Sequence, residues 1–288
     1  MNRTITCLNA KGASVTFGSD FAPFLLVSAD GLYAEYNNIY ISDNTMTDGA
    51  TYQGTTSKKR NIVLTLKDKE GHRENRNTLY HLFLPKSKGM LIYEEEGVRR
   101  MIGYYVESIV FDSSPKVRTA TVSLICPDPF FAPVQESEAA ISDWRANFTF
   151  PHNFTTEEFA TKLQSKLAII ENDTGVERVG LEFMVNANGN VTNPSITQVE
   201  TGDTLKIGNA TKPFSMVAGD ILVITTETNN KRVWLTHGGA TTEVNSYLDE
   251  GSYFIQLMDG TNTIGYDADS GENNMTVTIK YRLKYPGV

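Results

Sequence analysis

The sequence predicts a mainly β protein built from two domains. Runs in which apolar and polar residues alternate recur along most of the 288 residues, with Gly, Asn, Asp and Pro between them. This pattern is typical of strands that bury one face. Residues 1–134 carry 15 Lys and Arg against 14 Asp and Glu, whereas residues 135–288 carry 11 against 20. Such different surfaces favour two domains, 1–134 and 135–288.

Composition argues against several classes of protein. Aromatic residues make up 10% of the chain and the net charge is −8. Disordered chains carry few aromatics, and a general nucleic-acid coat needs clustered basic residues, so neither class fits. The most apolar stretches, Phe21–Val27 and Ile221–Ile224, are far shorter than the ~20 residues of a membrane-spanning helix. We expect a soluble, folded protein that binds neither nucleic acid nor membrane.

The first residues carry no sign of export. Met1–Cys7 lacks the apolar run of a secretory signal, which predicts synthesis in a reducing cytoplasm without a signal peptide. The two cysteines, Cys7 and Cys126, form no zinc-binding or disulfide pattern. We expect both to be buried free thiols on strands.

The N-terminal half is predicted to contain strands and a hairpin. Arg60–Lys67 and Val117–Cys126 alternate between apolar and polar residues, which predicts two strands. Met90–Tyr93 and Val98–Phe111 are β-rich runs on either side of a charged turn, Glu94–Gly97, so they are predicted to form a hairpin. Its three consecutive glutamates are expected to point into solvent.

One helix interrupts these strands. In Asn75–Leu84 two leucines and a phenylalanine fall on one helical face, and Pro85 cannot continue the hydrogen-bond ladder. Cys126–Pro133 contains three prolines, which remove ladder donors and suit the exit from a domain. Residues 135–154 are interpreted as a transitional segment before the second domain proper.

The second half shows short apolar runs separated by turn residues, which predicts an antiparallel sandwich or jelly roll. An ambiguous segment precedes them. Thr155–Glu158 is a capping-box pattern for a helix, but the alternation of Leu163–Ile169 fits a strand, and periodicity alone leaves both open. The predicted strands are Gly180–Val185, Ser195–Val199, Thr204–Ile207, Ile221–Thr226, Val233–Thr236, Tyr253–Leu257, Thr263–Tyr266 and Met275–Tyr281.

No constellation of residues points to catalysis or to a metal. The four histidines are scattered, and no H-E-x-x-H or G-x-S-x-G motif is present. Glu94–Glu96 are adjacent at a hairpin tip, whereas a glycosidase needs two carboxylates facing each other across a cleft. Asp267–Glu272 resembles a Ca²⁺ loop but lacks its bidentate Glu, so a structural turn is favoured. We expect no enzyme activity, cofactor or metal.

Aromatic residues of the second half form one candidate contact site. Trp234, Tyr247, Tyr253 and Tyr266 could form a platform for sugar rings, with Trp234 and Tyr253 as the main candidates. The alternative is that they pack in the core, since strands normally bury their large residues.

Basic clusters form a second candidate contact site. Lys58–Arg60 and Arg99–Arg100 could oppose acidic patches on a partner subunit, or they could form a solvated face. Within the predicted hairpin, Glu95, Arg99 and Arg100 are the candidate subunit contacts.

Several segments, taken in order, resemble a single family. They begin at the predicted helix, continue through the hairpin and the proline-rich exit, and close at the last predicted strand. These segments are Asn77–Lys86, Gly89–Tyr93, Gly103–Ile109, Cys126–Phe131, Gly202–Ile207, Ala218–Asp220, Asn262–Tyr266 and Val277–Val288. Their order and spacing resemble the distal tail proteins (Dit) of siphophages, prophages and related tail-like particles of Gram-positive bacteria.

The resemblance implies a fold, an assembly and a location. It implies an N-terminal tail-tube-like β-domain with one helix and a C-terminal galectin-like or carbohydrate-module-like β-sandwich, with a strand near Leu163–Glu171. It implies a homohexameric ring that joins the tail tube protein to the tail-associated hub protein and to receptor-binding or baseplate proteins. Such a protein is a structural virion component of the tail tip, made in the bacterial host cytoplasm, without catalytic residues.

Two other functions remain open from the sequence. A stand-alone carbohydrate-binding module recognising cell-wall glycans would expose aromatics on its second domain and stay monomeric. A cell-wall hydrolase would need two opposed carboxylates in a cleft. A ring-forming protein would instead pair the strand edges of residues 1–134 between subunits, with the acidic half at the periphery.

Overall fold

The computed structural model describes residues 3–19, 23–33, 36–68, 73–112, 118–141 and 166–288, with the backbone alone of 143–146 and 160–163. The chain divides into two compact units. Unit 1 consists of Met1–Val134 and Lys284–Val288, and unit 2 of Gln135–Leu283. The second unit is therefore an insertion in the sequence of the first. Lys284–Val288, which the sequence analysis placed in the second domain, is grouped with unit 1.

Unit 1 is built from strands and one described helix. The strands are β1 (Thr4–Asn9), β2 (Ser14–Gly18), β3 (Phe24–Asp30), β4 (Asn37–Asp43), β5 (Ala50–Ser57), β6 (Arg60–Asp68), β7 (Lys88–Glu95), β8 (Val98–Phe111), β9 (Thr119–Cys126) and β10 (Ala132–Pro133), and the helix is α1 (Arg73–Leu82). Eight of the strands form one sheet in the order β10-β8-β7-β1-β2-β3-β6-β9. β8 also pairs with β9, which makes the unit barrel-like. β4 and β5 form a separate pair.

Alternation places one face of each strand of the large sheet in a common core. Ile62, Leu64 and Leu66 of β6 are fully buried, because residues at i, i+2 and i+4 share one face of a strand. Burying each of these side chains contributes about 1.5–3 kcal/mol. Helix α1 begins and ends two residues earlier than predicted and buries two leucines against this core. The predicted β7–β8 hairpin is confirmed, with its turn at Glu96–Gly97.

Both cysteines are buried free thiols, as predicted. Cys7 lies on β1 and Cys126 ends β9. Burial raises the pKa of the Cys7 thiol and raises that of Cys126 to about 12, because a thiolate in the core would lose its hydration.

Unit 2 is a two-sheet sandwich. Its strands are β11 (Ser137–Ala140), β12 (Asp143–Ala146), β13 (Ala160–Leu163), β14 (Leu167–Asn172), β15 (Leu181–Ala187), β16 (Val191–Gln198), β17 (Thr204–Lys206), β18 (Ser215–Met216), β19 (Ile221–Glu227), β20 (Asn230–His237), β21 (Ala240–Glu243), β22 (Gly260–Ser270) and β23 (Met275–Tyr281). One sheet has the order β11-β23-β15-β19-β20-β21 and the other β14-β22-β16-β17, with β18 beside β16. Phe183 and Ile279 of the first sheet share one buried cluster with Ile196 and Ile264 of the second, as in a sandwich.

The mainly β fold class is confirmed, with a barrel-like first domain and a β-sheet second domain. No helix in the described part of the chain is long and apolar enough to span a bilayer.

The strand predicted at Tyr253–Leu257 is wrong. Ile255 and Leu257 are buried, which explains the alternating pattern, but the segment has no strand ladder. Its backbone bonds lie at its ends, where the Tyr253 N–H donates to Thr204 (2.9 Å) and Leu257 exchanges two bonds with Val179. Alternating burial therefore arises here from an extended segment that is not part of a sheet.

The turn predicted at Asp267–Glu272 begins later than expected. β22 continues to Ser270, and the chain turns at Gly271, whose φ is +77°. A β-carbon there would lie 1.9 Å from the Asn190 carbonyl oxygen, so only glycine fits. Asp269 accepts hydrogen bonds from Lys206 and Asn193, and these two donors lower the pKa of its carboxyl.

A strand at Leu167–Asn172 resolves part of the ambiguous segment, while Thr155–Glu158 lies outside the described residues. Leu167 and Ile169 of this strand point outward, with 51% and 67% of their surface exposed, whereas Ala168 and Ile170 are buried. Asn172 is fully buried, and its side-chain amide donates to two backbone carbonyl oxygens. This buried polar partner helps to set the inward face of the strand.

Candidate interaction surfaces

The hairpin β4–β5 presents an apolar surface to solvent. We call Tyr36–Lys58 the arm. β4 and β5 pair only with each other in the described part of the chain, and Ile39 is 67% and Met46 96% exposed. A lone two-stranded hairpin is marginally stable in water, and an exposed apolar patch indicates an interaction site. The exposed apolar residues of the arm are Tyr36, Ile39, Tyr40, Ile41, Met46 and Tyr52.

Arg60 joins the base of the arm to the rest of unit 1. It lies two residues after the end of the arm and is only 3% exposed, with its guanidinium 5.1 Å from the centre of the Phe131 ring. The guanidinium donates to four carbonyl oxygens, those of Gly31 (2.7 Å), Leu32 (3.2 Å), Pro129 (2.6 Å) and Pro286. The interpretation of Lys58–Arg60 as a solvated cluster is therefore wrong for Arg60, because carbonyls from distant segments bury it.

Lys284–Val288, which we call the return segment, lies in unit 1 with contacts to several of its elements. Tyr285 and Phe131 exchange two backbone hydrogen bonds of 2.8 and 2.9 Å. The guanidinium of Arg100 lies 3.8 Å from the centre of the Tyr285 ring and donates to the Gly287 carbonyl oxygen. Lys284 pairs with Asp128 at 2.9 Å. Within unit 1, the return segment thus binds the proline-rich exit through Phe131 and Asp128.

The β7–β8 hairpin contains the three residues predicted as subunit contacts. Arg99 pairs with Glu94 at 3.2 Å in solvent, where such pairs are worth ~1 kcal/mol or less. Glu95 accepts a hydrogen bond from the Tyr93 hydroxyl, and burial together with this bond raises the pKa of the Tyr93 phenol. Arg100 holds the return segment instead. The structure therefore separates the neighbouring arginines into one exposed group and one that binds within unit 1.

Sequence models of two phage tail domains match the chain. The siphovirus-type tail component, C-terminal domain, matches residues 174–285, and the phage tail protein RIFT-related domain matches residues 20–126. The chain belongs to the siphophage distal tail protein family. It is therefore a siphovirus-type structural tail component.

Solved structures share the fold of this distal tail protein. The Dit protein of phage SPP1, described as a paradigm of the hub adsorption apparatus in phages infecting Gram-positive bacteria, superposes with a TM-score of 0.67 at 13% identity over 98% of this chain and 99% of that one. Baseplate structures of phage P2 in its activated conformation, with Ca and with Sr, give 0.54 at 10% identity over 100% and 99% of this chain and 99% of theirs. No curated protein sequence matches significantly.

In this distal tail protein the two candidate sugar-platform residues lie apart in the fold, one on a strand and one outside the sheets. Trp234 is on β20, paired with Val223 and Glu243, and is half-buried. Tyr253 is exposed, and its backbone bonds to Thr204 of the other sheet. The structure does not bring them onto one sheet face, and a sugar site at either residue stays a prediction.

The two histidines that the structure describes, His81 and His237, form no catalytic group with each other. His237 bonds to the buried Asp220 through Nδ1 at 2.7 Å, and His81 lies exposed on α1. His72 and His152 lie outside the described residues. Among the side chains that the structure describes, no group of three His, Cys, Asp or Glu could hold a metal ion.

The exposed arm, the buried contacts of Arg60 and the position of the return segment in unit 1 are features that the sequence patterns did not predict. The run Ile39–Ile41 is β-rich, and the Asp, Asn and Gly residues that follow it are turn formers, so a hairpin was detectable. The exposure of this hairpin could not be predicted, because apolar strands show the same pattern of residue types whether they are exposed or buried.

Proposed function

We propose that this protein forms a closed ring of six copies at the distal end of a phage tail, and that unit 1 drives the assembly through its arm. The exposed apolar surface of the arm is the observation that carries this proposal. A second copy would cover this surface, and head-to-tail contacts give a closed ring when the rotation between subunits closes.

The charge distribution supports this arrangement. Residues 1–134 are nearly neutral, with 15 basic and 14 acidic residues, so six copies repel little. Residues 135–288 carry 11 basic and 20 acidic residues and would repel one another if crowded at the centre. We therefore place unit 2 at the periphery, where charges are screened over ~8 Å at physiological ionic strength.

The ring has a structural role in the virion. It joins the tail tube protein to the tail-associated hub protein and to receptor-binding or baseplate proteins, without enzymatic activity. Family membership and the likeness to hub and baseplate structures support this role. Glu95, Arg99 and Arg100 stay predicted subunit contacts, with Arg99 the most accessible of the three because Arg100 binds the return segment.

A pair of matched substitutions tests the role of the arm. Ile39→Ser and Ile169→Ser each remove an isoleucine side chain that is 67% exposed, one on the arm and one on unit 2. We expect Ile39→Ser to weaken self-association roughly tenfold, the loss typical of a buried interface side chain, and Ile169→Ser to leave it unchanged. Light scattering over a concentration series measures both, and equal behaviour of the two variants would exclude the arm as the contact.

A further inference from the structure

The return segment occupies unit 1 in the manner of a bound peptide. Its Tyr285 forms an antiparallel bridge with Phe131, which is the way an extended peptide adds to a strand. The Tyr285 ring lies beside the Arg100 guanidinium at 3.8 Å, and such a contact is worth most when it is partly desolvated. Lys284 adds an ion pair to Asp128 at 2.9 Å.

The sequence of the return segment suits this site. Pro286 has no N–H that would need an acceptor, so its backbone only offers a carbonyl oxygen, and Arg60 donates to it. Gly287 offers a carbonyl oxygen to Arg100. A β-carbon on Gly287 would lie 3.7 Å from the Leu32 carbonyl oxygen, so this residue packs against the backbone of that segment. The return segment is thus held through one basic side chain, one aromatic ring and two backbone carbonyl oxygens, those of Pro286 and Gly287.

The same contacts reach the root of the arm, which we define as Gly31–Tyr33 with Tyr36 and Lys58–Arg60. Arg60 binds Gly31 and Leu32 as well as Pro286, so one buried guanidinium joins the return segment to the chain that enters the arm. The Lys58 N–H donates to the Tyr36 carbonyl oxygen at 2.7 Å and closes the base of the arm. Losing the return segment would remove an acceptor from a buried charged donor, which favours rearrangement of the root.

We propose that unit 1 carries a peptide-binding site for the return segment, and that occupation of this site orders the root of the arm. Self-association through the arm then depends on the docked segment. The consequence for self-association rests on the proposed function, whereas peptide binding and ordering of the root do not.

A chain that ends at Leu283 tests this proposal together with a synthetic peptide of residues 284–288. We expect amide exchange at the root to rise roughly tenfold or more in the shortened chain, since exchange reports local opening, while exchange in unit 2 stays unchanged. Adding the peptide should restore slow exchange in a saturable way. The same peptide with Tyr285→Ala should fail to do so. Unchanged exchange at the root, or no binding of the peptide, would overturn the proposal.

If the shortened chain does not fold, two arginine variants of the full chain test whether the contacts of the return segment order the root of the arm. Arg100→Ala removes the contact with Tyr285, and Arg76→Ala removes an arginine of α1 that contacts the Phe111 ring, at 5.4 Å, instead of Tyr285. Faster exchange at the root in Arg100→Ala alone supports the proposal. Equal exchange in both variants contradicts it. If the full chain forms no ring under any condition, the proposed function fails, while these exchange measurements still decide the peptide site.

Discussion

Arg60 and Pro286 lie 226 positions apart in the sequence, yet the Arg60 guanidinium donates a hydrogen bond to the Pro286 carbonyl oxygen. The same guanidinium binds Gly31, Leu32 and Pro129, so three other segments of unit 1 meet at this side chain of β6. Arginine suits this position because its planar fork presents five donors and keeps its charge. Unit 2 is inserted between residues 134 and 284 of unit 1. The contact between Arg60 and Pro286 holds the residues that follow this insertion against those that precede it.

Replacing Arg60 should destabilise unit 1 strongly. Arg60→Met keeps most of the side-chain volume but leaves several buried carbonyl oxygens without a donor, and each such loss costs about 1–3 kcal/mol. We expect a loss of about 3–5 kcal/mol in urea unfolding, as the combined cost of two or three such carbonyl oxygens left without a donor. Lys59→Met, at the exposed neighbouring position, should change the stability by less than ~0.5 kcal/mol. Similar losses of stability for both variants would show that the buried hydrogen bonds of Arg60 do not stabilise unit 1.

Only glycine should fit at position 31, because the backbone of Asn61 lies too close to leave room for a β-carbon. Gly31 has φ of +86°, and a β-carbon there would lie 2.1 Å from the Asn61 carbonyl oxygen. Gly97 has φ of +83° with open space around it, so Gly97→Ala carries the backbone strain alone, about 1 kcal/mol. Gly31→Ala should cost clearly more and shift the root of the arm. Thermal unfolding of both variants measures the difference, and equal midpoints would refute it.

The two thiols should be unreactive in the folded protein. Burial raises the pKa of both, so the folded state holds the neutral thiols at a pH where the unfolded chain has begun to lose its protons. This contribution to stability is full below the unfolded pKa near 9 and falls as the pH rises towards about 12, the folded value for Cys126. A thiol reagent at pH 8 should label neither cysteine until denaturant is added. Rapid labelling under native conditions would contradict the buried placement.

Fragments should show which parts of the chain fold together. We expect residues 135–283 to fold alone, because their core is formed within the unit, as are all their sheets. Residues 1–134 should be less stable than the same residues linked to 284–288, since without 284–288 Arg60 loses one of its four carbonyl acceptors and Phe131 loses both backbone hydrogen bonds to Tyr285. Circular dichroism and urea unfolding compare the fragments. Equal stability of 1–134 with and without the return segment would count against this account.

Local patterns predicted the regular elements of the fold. The strands β6 and β9 and the helix α1 follow from periods of 2 and 3.6, because burial of one face produces those periods. Tyr253–Leu257 has the same period of 2 without being a strand. Its alternation reflects the burial of Ile255 and Leu257, yet no neighbouring strand forms a ladder with it. Periodicity reports which side is buried and not which segments pair.

The contact sites depend on long-range register, which single-sequence patterns do not contain. Arg60 stands in a run of three basic residues, and only the folded chain brings the carbonyls of residues 31, 32, 129 and 286 around it. Trp234 and Tyr253 are likewise close in sequence, but Trp234 lies on β20, whereas Tyr253 lies outside the sheets and its backbone N–H donates to Thr204 of β17. Arg99 and Arg100 are adjacent, yet strand alternation sends them to different partners.

Electron microscopy of the full chain, combined with native mass spectrometry, tests whether six copies form the proposed ring. The protein is imaged at increasing concentration, alone and with the tail-tip hub protein, because a dilute monomer alone decides nothing. We expect sixfold rings with outward lobes and a mass of six chains. Ile39→Ser should lower the fraction of protein that assembles into rings, and Ile169→Ser should leave that fraction unchanged. Monomers under both conditions, or rings of another symmetry, would contradict the assignment of this chain as a six-membered tail ring.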